Sequence, residues 1–276
     1  MAEPPPVLPA PLTQAPVQRV PADGVLTDTL AAEVPVALVF NGISHAVMLA
    51  TPQDLEAFAL GFALSEGILD TPAQCFGIEV QPVVLEGGPA VEVQLDIAAP
   101  AFARLKEQRR TLAGRTGCGV CGIDSLQALD LAPPPLPAAA PWVQAMDAAT
   151  VLRAVLAMAP LQVLNMACGS LHAAAWVSPD GAIRLLREDV GRHNALDKLL
   201  GALAQSGRTG EPGWVLMSSR ASHELVRKCL RLQVPLLATI SAPTDLAVAM
   251  AQRSGLQLWG LCRAPRAVRY SPLQTR

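Results

Sequence analysis

A regular alternation of short apolar strands and helices in the second half of the chain is the feature that most constrains the fold. A hairpin predicted over 171–187 and a helix predicted over 195–205 precede it. The alternation then predicts strands over 214–217, 235–240 and 256–261, separated by helices over 222–232 and 244–254. Strands separated by helices of this length are typical of βαβ units. We therefore predict an α/β fold with a mixed sheet and flanking helices.

The first half of the chain has a different pattern. Val34–Phe40 is predicted as a strand, Asn41-Gly42 as a tight turn and 44–50 as the returning strand. Thr51 with Pro52 is predicted to cap a helix that runs to Glu66. Two further strands over 77–85 and 90–97 and a helix over 100–112 complete a smaller N-terminal α+β part.

Proline-rich runs suggest the domain boundaries. Residues 1–24 carry seven prolines, a composition that disfavours independent folding, and are predicted to be a flexible or loosely docked tail. A second proline-rich run over 133–149 is predicted to be a semi-rigid linker. The chain is then divided into an N-terminal part over 25–132 and a ligand-binding α/β domain over 150–276.

Composition excludes several classes of partner. The net charge is -2 and the pI is about 6.1, so no basic surplus points to nucleic acid. The uncharged stretch over 154–179 is long enough for a membrane span, but Pro160, Gly169 and several polar residues interrupt it. No secretory signal is visible at the N-terminus, which predicts a cytoplasmic protein.

Two cysteines in a C-x-x-C spacing, Cys118 and Cys121, stand among four glycines at 114, 117, 119 and 122. Glycine-rich backbone disfavours a regular helix or strand. Arg115 is a nearby cation of the kind that lowers a thiol pKa. The segment is either a reactive thiol pair on a loop, or half of a zinc site or a structural pair, since this spacing serves both kinds of chemistry.

Ligands of open α/β sheets bind beyond the carboxyl ends of the strands. That rule selects 218–220, 241–244 and 261–266, two of which open a helix, where backbone N–H groups favour an anion. Arginine adds a forked donor suited to phosphate. Together they predict a phosphorylated ligand. The candidate binding residues are Ser219, Arg220, Leu261, Cys262, Arg263, Ala264, Pro265 and Arg266.

A second polar stretch runs from Glu188 to Lys198. Arg192 and His193 are predicted to lie in a loop that presents donors to a ligand; the alternative is a capped helix with a surface ion pair. His172 follows small, flexible residues and is either part of the site or a packed histidine.

Several motifs, in order along the chain, resemble those of the FdhD-type formate dehydrogenase accessory sulfurtransferase family. The resemblance covers about 33–270. The motifs are Glu33-Val-Pro-Val-Ala-Leu-Val-Phe-Asn41-Gly42, Gly61-Phe-Ala-Leu-Ser-Glu66-Gly67, Arg115-Thr-Gly-Cys118-Gly-Val-Cys121-Gly122, Glu188-Asp189-Val-Gly191-Arg192-His193-Asn-Ala-Leu-Asp197-Lys198 and Ser218-Ser219-Arg220-Ala-Ser222.

The resemblance implies a homodimeric sulfur carrier with a fold similar to that of cytidine deaminases. Such proteins accept persulfide sulfur from a cysteine desulfurase and pass it to the molybdenum cofactor, a bis-molybdopterin guanine dinucleotide used by formate dehydrogenase. The family's persulfide cysteine corresponds to Cys118, with Cys121 as its partner, and its cofactor-binding segment corresponds to 261–266. The deaminase zinc signature is absent from the sequence, so no resident metal is implied.

Two alternatives to a sulfur carrier stay open at this point. One is a non-catalytic chaperone that binds the molybdenum cofactor without carrying sulfur. The other is a zinc-binding or disulfide-exchange module, which would need distant partners such as Cys168 or Cys262 to complete a Cys₄ site.

Overall fold

A computed structural model describes residues 6–21, 24–110 and 133–272, except the side chains of 108–110. The strands are β1 Leu12–Gln18, β2 Val25–Ala31, β3 Val34–Phe40, β4 Ile43–Ala50, β5 Cys75–Leu85, β6 Gly88–Ile97, β7 His172–Val177, β8 Ile183–Asp189, β9 Trp214–Met217, β10 Leu236–Thr239, β11 Gln257–Arg263 and β12 Arg266–Ser271. The helices are α1 Leu55–Ser65, α2 Ala99–Arg110, α3 Pro141–Gln144, α4 Ala148–Met158, α5 Val163–Cys168, α6 Arg192–Gln205, α7 His223–Arg231 and α8 Asp245–Ser254.

The larger sheet has six strands in the order β12-β11-β10-β9-β7-β8. Strands β9, β10 and β11 are parallel, with Leu237 opposite Val215 and Leu258, whereas β7, β8 and β12 pair antiparallel. Apolar residues of α6, α7 and α8 cover one face, and those of α4 cover the other. The predicted mixed α/β architecture is confirmed.

The smaller sheet has four strands in the order β4-β3-β6-β5. Strands β3 and β6 are parallel, and their neighbours pair antiparallel. Asn41 and Gly42 have φ values of 46° and 78°, the two positive values that a type I′ hairpin turn requires. Apolar residues of α1 and α2 fill the core beneath this sheet.

The predicted helix cap at Thr51 is wrong. Helix α1 begins at Leu55, after Asp54 in a left-handed conformation. Thr51 instead joins the two sheets: its N–H donates to Asp189 Oδ2 at 3.0 Å, and its hydroxyl accepts from the N–H of Val190 at 3.2 Å. The hydroxyl that would cap the helix is thus occupied by the N–H of Val190.

Part of the predicted flexible tail is a strand. Residues 12–18 form β1, which pairs antiparallel with β2 over its whole length. Pro16 lies opposite Thr27 within this ribbon. A two-stranded ribbon consists only of edge strands, where proline is tolerated because its missing donor can face away from the partner.

Two further boundaries differ from the sequence expectation. Helix α6 begins at Arg192, three residues earlier than predicted, and β12 follows β11 where no further strand was expected. Within the described part of the chain, none of the helices has the length and apolar character needed to cross a membrane.

Candidate functional site

The carboxyl ends of the three parallel strands meet at one edge of the six-stranded sheet. Ile240 N–H donates to the carbonyl of Met217 at 3.1 Å, and Ser241 N–H donates to the carbonyl of Ser219 at 3.3 Å. Leu261 N–H donates to the carbonyl of Ser241 at 3.2 Å. These bonds link the three segments selected from sequence into one continuous surface, which we call the carboxyl edge.

Helices α7 and α8 begin at the carboxyl edge. Thr244 caps α8, and its hydroxyl accepts from the N–H of Ala247 at 3.3 Å. Ser222 occupies the equivalent position of α7 but makes no side-chain cap. The first N–H groups of α7 therefore lack that acceptor, which favours an anion beside them, and the carboxylate of Glu224 lies in the same first turn.

Three arginines lie on the exposed part of this surface: Arg220, Arg263 and Arg266. Arg263 Nη2 donates to the hydroxyl of Ser241 at 3.5 Å, which ties β11 to the neighbouring segment. Ala264 and Pro265 are also exposed. The edge thus presents several guanidinium groups, which are suited to bidentate recognition of phosphate.

The segment over 261–266 differs from the predicted loop. Arg263 and Arg266 are opposite each other in the β11–β12 hairpin, and a register shift between Gly260 and Arg263 accompanies a φ of 51° at Leu261. Cys262 is fully buried, and burial raises the pKa of its thiol to about 11. The Cys262 side chain therefore does not reach the surface where the sequence predicted a ligand contact.

His172, at the start of β7, lies beside the carboxyl end of β9. Its Nδ1 is 3.5 Å from Ser218 Oγ, which accepts from the N–H of Ala173 at 2.8 Å. Burial lowers the pKa of His172, and the nearby Arg192 and His193 lower it further. A half-buried, neutral imidazole thus faces the site.

Arg192 and His193 form the first turn of α6 rather than a loop. His193 Nε2 is 2.8 Å from Glu224 Oε2 at the start of α7. The neighbouring His193 side chain lowers the pKa of Glu224 to about 2. The structure therefore brings His172 close to the adjacent pair Arg192 and His193, which follow much later in the chain, next to 218–222.

The rest of the polar stretch is structural. Lys198 Nζ lies 2.7 Å from Asp189 Oδ2, with both side chains fully buried. Glu188 accepts from the N–H groups of Leu164 and Asn165 at 3.0 and 2.8 Å, which anchors the start of α5. The alternative prediction from sequence was a surface ion pair, but the Lys198–Asp189 pair is buried.

A second buried ion cluster was missed from sequence. Lys228 Nζ lies 2.8 Å from Glu66 Oε1 and 2.9 Å from Asp197 Oδ2. Ser65 donates to Asp197 Oδ1 at 2.7 Å. The cluster joins α1, α6 and α7 directly behind the His193–Glu224 pair. An available signal was the placement of Lys228 one helical turn from Leu225 and Leu232, on the apolar side of the helix.

Comparison with known proteins identifies the family. The FdhD/NarQ family model matches residues 31–275. This chain belongs to the FdhD/NarQ family. The Sulfur carrier protein FdhD of Chromobacterium violaceum is 57% identical over 244 residues, covering 88% of each chain. The protein of that name from Variovorax paradoxus is 52% identical over 244 residues, 88% of this chain and 85% of the relative.

A solved structure shares the fold of this FdhD/NarQ chain. It is the crystal structure of a Desulfotalea psychrophila protein assigned as a formate dehydrogenase accessory protein. The TM-score is 0.68 at 21% sequence identity, with 94% of this chain and 95% of that chain covered. At that identity the likeness supports the fold alone.

The cysteines of this FdhD/NarQ member include two that lie outside the described residues and others that the structure describes. Cys118 and Cys121 lie outside the described residues, as does Arg115. Cys229 is buried, and burial raises the pKa of its thiol to about 12. Cys168 is half-buried, and its Sγ donates to the carbonyl of Leu164 at 3.2 Å. In the described ranges, no cluster of three or more His, Cys, Asp or Glu side chains forms a metal site.

Proposed function

We propose that this chain is a sulfurtransferase that carries persulfide sulfur. Cys118 takes the sulfur from a cysteine desulfurase and passes it to the molybdenum cofactor that formate dehydrogenase uses. The observation that carries the proposal is the convergence of three strand ends, an uncapped helix start and three exposed arginines at the carboxyl edge. The names of the relatives add independent support for sulfur carriage.

The acceptor substrate in this proposal is bis-molybdopterin guanine dinucleotide. Its phosphates suit the start of α7 and the guanidinium groups of Arg220, Arg263 and Arg266. The half-buried side chains of His172 and Arg192 and the buried hydroxyl of Ser219 would supply directional donors and acceptors for the uncharged parts of the molecule. Three arginines lie together at this edge although the chain as a whole is slightly acidic.

Sulfur loading is a thiol–persulfide exchange. The Cys118 thiolate attacks the outer sulfur of the desulfurase persulfide, forms a new S–S bond and releases the desulfurase cysteine as a thiolate. For sulfide release, Cys121 attacks Cys118 Sγ, hydrosulfide leaves and a Cys118–Cys121 disulfide remains. A dithiol reductant must then restore both thiols. In direct transfer, the acceptor supplies the electron pair for a new bond to the outer sulfur, the S–S bond breaks, and Cys118 is released as a thiolate.

We also propose that the protein is a cytoplasmic homodimer that meets the desulfurase and formate dehydrogenase in turn. A carrier of this kind must expose its thiol to a donor enzyme and later to a bound acceptor. Glycines on both sides of Cys118 and Cys121 are consistent with such reach, because glycine has a wide range of allowed backbone conformations.

Complementation tests the proposal. Cells that lack the native gene are supplied with wild type, Cys118→Ala or Cys75→Ala, and formate dehydrogenase activity is assayed together with the amount of each variant. We expect Cys118→Ala to abolish activity while Cys75→Ala retains it. Full activity with Cys118→Ala would contradict sulfur carriage by this residue and favour a chaperone that only binds the molybdenum cofactor.

A further inference from the structure

The outer edge of β8 is open. In the described part of the chain β8 pairs only with β7 and ends the six-stranded sheet. A groove of about 510 Å³ runs beside it, lined by every residue from Ile183 to Glu188. Because consecutive strand side chains point to opposite faces, a lining without gaps means that the groove follows the backbone edge.

The walls of this groove are partly apolar. Gln53 and Asp54 form one side, and Leu161, Val163 and Leu164 form the other. Leu161 is 46% exposed and Val163 is 66% exposed. An open strand edge beside exposed apolar side chains is a ready template for an added strand.

We propose that β8 of a second copy of this chain occupies the groove, antiparallel to β8 and centred on Leu186. The inference rests on the homodimer proposed above and names its contact surface. The two copies would then share one continuous twelve-stranded sheet. Such a contact is isologous, because the same strand serves both copies.

Charge decides the register. Directly opposite side chains in an antiparallel pair point to the same face of the sheet, and a twofold axis perpendicular to the sheet keeps each residue on the same face in both copies. The axis must therefore lie where one residue is opposite the same residue of the partner. Centring on Arg184 or Arg187 places two like charges opposite each other. Centring on Leu185 places no basic side chain directly across from an acidic one. Centring on Leu186 places Arg184 opposite the partner's Glu188, and by symmetry this pair forms twice.

The groups involved are available for this exchange. The Arg184 side chain is 51% exposed, and its Nη2 makes only a long contact of 3.9 Å with Asp180 Oδ2. Its Nε donates to Ser178 Oγ at 3.1 Å, which leaves the Nη groups for the partner.

Glu188 is buried within one copy but lines the groove. It accepts one amide hydrogen bond on each carboxylate oxygen, and each oxygen can accept another. Arg187 Nη1 donates to its neighbouring Leu186 carbonyl at 2.8 Å, a contact that an incoming strand would replace with a ladder hydrogen bond.

Register-specific cross-linking tests the proposal on the full chain. In the proposed register the Cα atoms of residue 186 in the two copies lie about 4.5–5.5 Å apart, within reach of a disulfide. Those of residue 185 lie diagonally, about 7–8 Å apart, and are too distant. Leu186→Cys and its control Leu185→Cys are oxidised with oxidised glutathione and separated without reductant. Wild type under the same conditions gives the background from the native cysteines.

We expect Leu186→Cys to form a disulfide-linked dimer and Leu185→Cys to stay at the wild-type background. Light scattering of the reduced variants gives the oligomeric state, and circular dichroism confirms folding. If Leu186→Cys is a dimer when reduced but does not cross-link when oxidised, or if both variants cross-link equally, the proposed β8 contact is wrong although the homodimer stands. A monomeric wild type would overturn both and leave sulfur carriage untouched.

A charge reversal provides a second measurement that keeps Leu186 in place. Arg184→Glu sets two acids opposite each other and is expected to weaken dimerisation at least about tenfold. Lys106→Glu, on exposed α2, is the matched control and should leave the dimer unchanged. Equal dimerisation of both variants would contradict the register.

Discussion

Gly61 on α1 and Gly201 on α6 lie against each other where the two helices cross. A Cβ atom added to Gly61 would lie 2.8 Å from the backbone nitrogen of Gly201, and one added to Gly201 would lie 2.7 Å from that of Gly61. The same atoms would overlap the carbonyl oxygens of Asp197 and Ala57. This crossing joins the smaller sheet to the helix that carries Arg192 and His193.

Gly61→Ala is expected to destabilise the protein by about 1–3 kcal/mol or more, because a methyl group can fit only if the two backbones separate. Urea unfolding measures the free energy of unfolding. Gly87→Ala is the control, since no atom lies within 4 Å of a Cβ at that position. Equal stability of the two variants would show that the helices are not held as closely as described.

Lys228→Met is expected to cost about 3–5 kcal/mol, because it leaves Asp197 and Glu66 buried without their shared cation. Chemical denaturation gives the loss. Lys106→Met, at an exposed position on α2, should change stability by less than about 1 kcal/mol. Comparable losses in the two variants would contradict the role assigned to the buried cluster.

Stability should fall as the pH drops from about 4.5 towards 2. Burial alone would raise the pKa of Glu66, but Lys228 and Arg227 outweigh it and lower that pKa from 4.5 to about 2. A lowered carboxyl pKa contributes stability above its unfolded value, and that stability is lost as protonation proceeds in the folded state. Thermal melts across this range should show a shallower slope for Glu66→Gln than for wild type or for the exposed-site control Glu86→Gln.

Arg263→Ala is expected to weaken binding of guanosine diphosphate, used as the guanine-and-pyrophosphate fragment of the acceptor, by about 10- to 100-fold. The loss corresponds to a charged hydrogen bond of about 1.5–3 kcal/mol. Isothermal titration calorimetry measures the affinity. Arg153→Ala, an exposed arginine on α4, serves as the control. Unchanged affinity in Arg263→Ala would remove Arg263 from the binding surface.

Local patterns predicted most of the strands and the carboxyl edge, but not β1, β2 or β12. The bounds of β3 and β9 were predicted to the residue, because each is a short apolar run with clear flanking residues. The meeting of 218–220 with 241–244 followed from strand order alone. In parallel βαβ units the carboxyl ends of successive strands lie side by side, so this meeting can be predicted without knowing any side-chain contact.

Long-range contacts explain most of what the sequence did not predict. Thr51 looks like a helix cap locally, yet Asp189, far along the chain, takes its N–H. Lys198 looks like a surface residue until the fold buries it against the same carboxylate. An isolated glycine within the apolar helix around Gly61 was a usable signal of close helix packing, but it does not reveal Gly201 as the partner.

The most direct test of sulfur carriage is the intact mass of the protein after incubation with a cysteine desulfurase and cysteine. A persulfide adds about 32 Da. We expect this adduct on wild type and on Cys75→Ala and its absence from Cys118→Ala, and Cys121→Ala will show whether sulfur is relayed. Wild type without an adduct, or Cys118→Ala with one, would contradict the assignment of Cys118 as the sulfur-carrying residue.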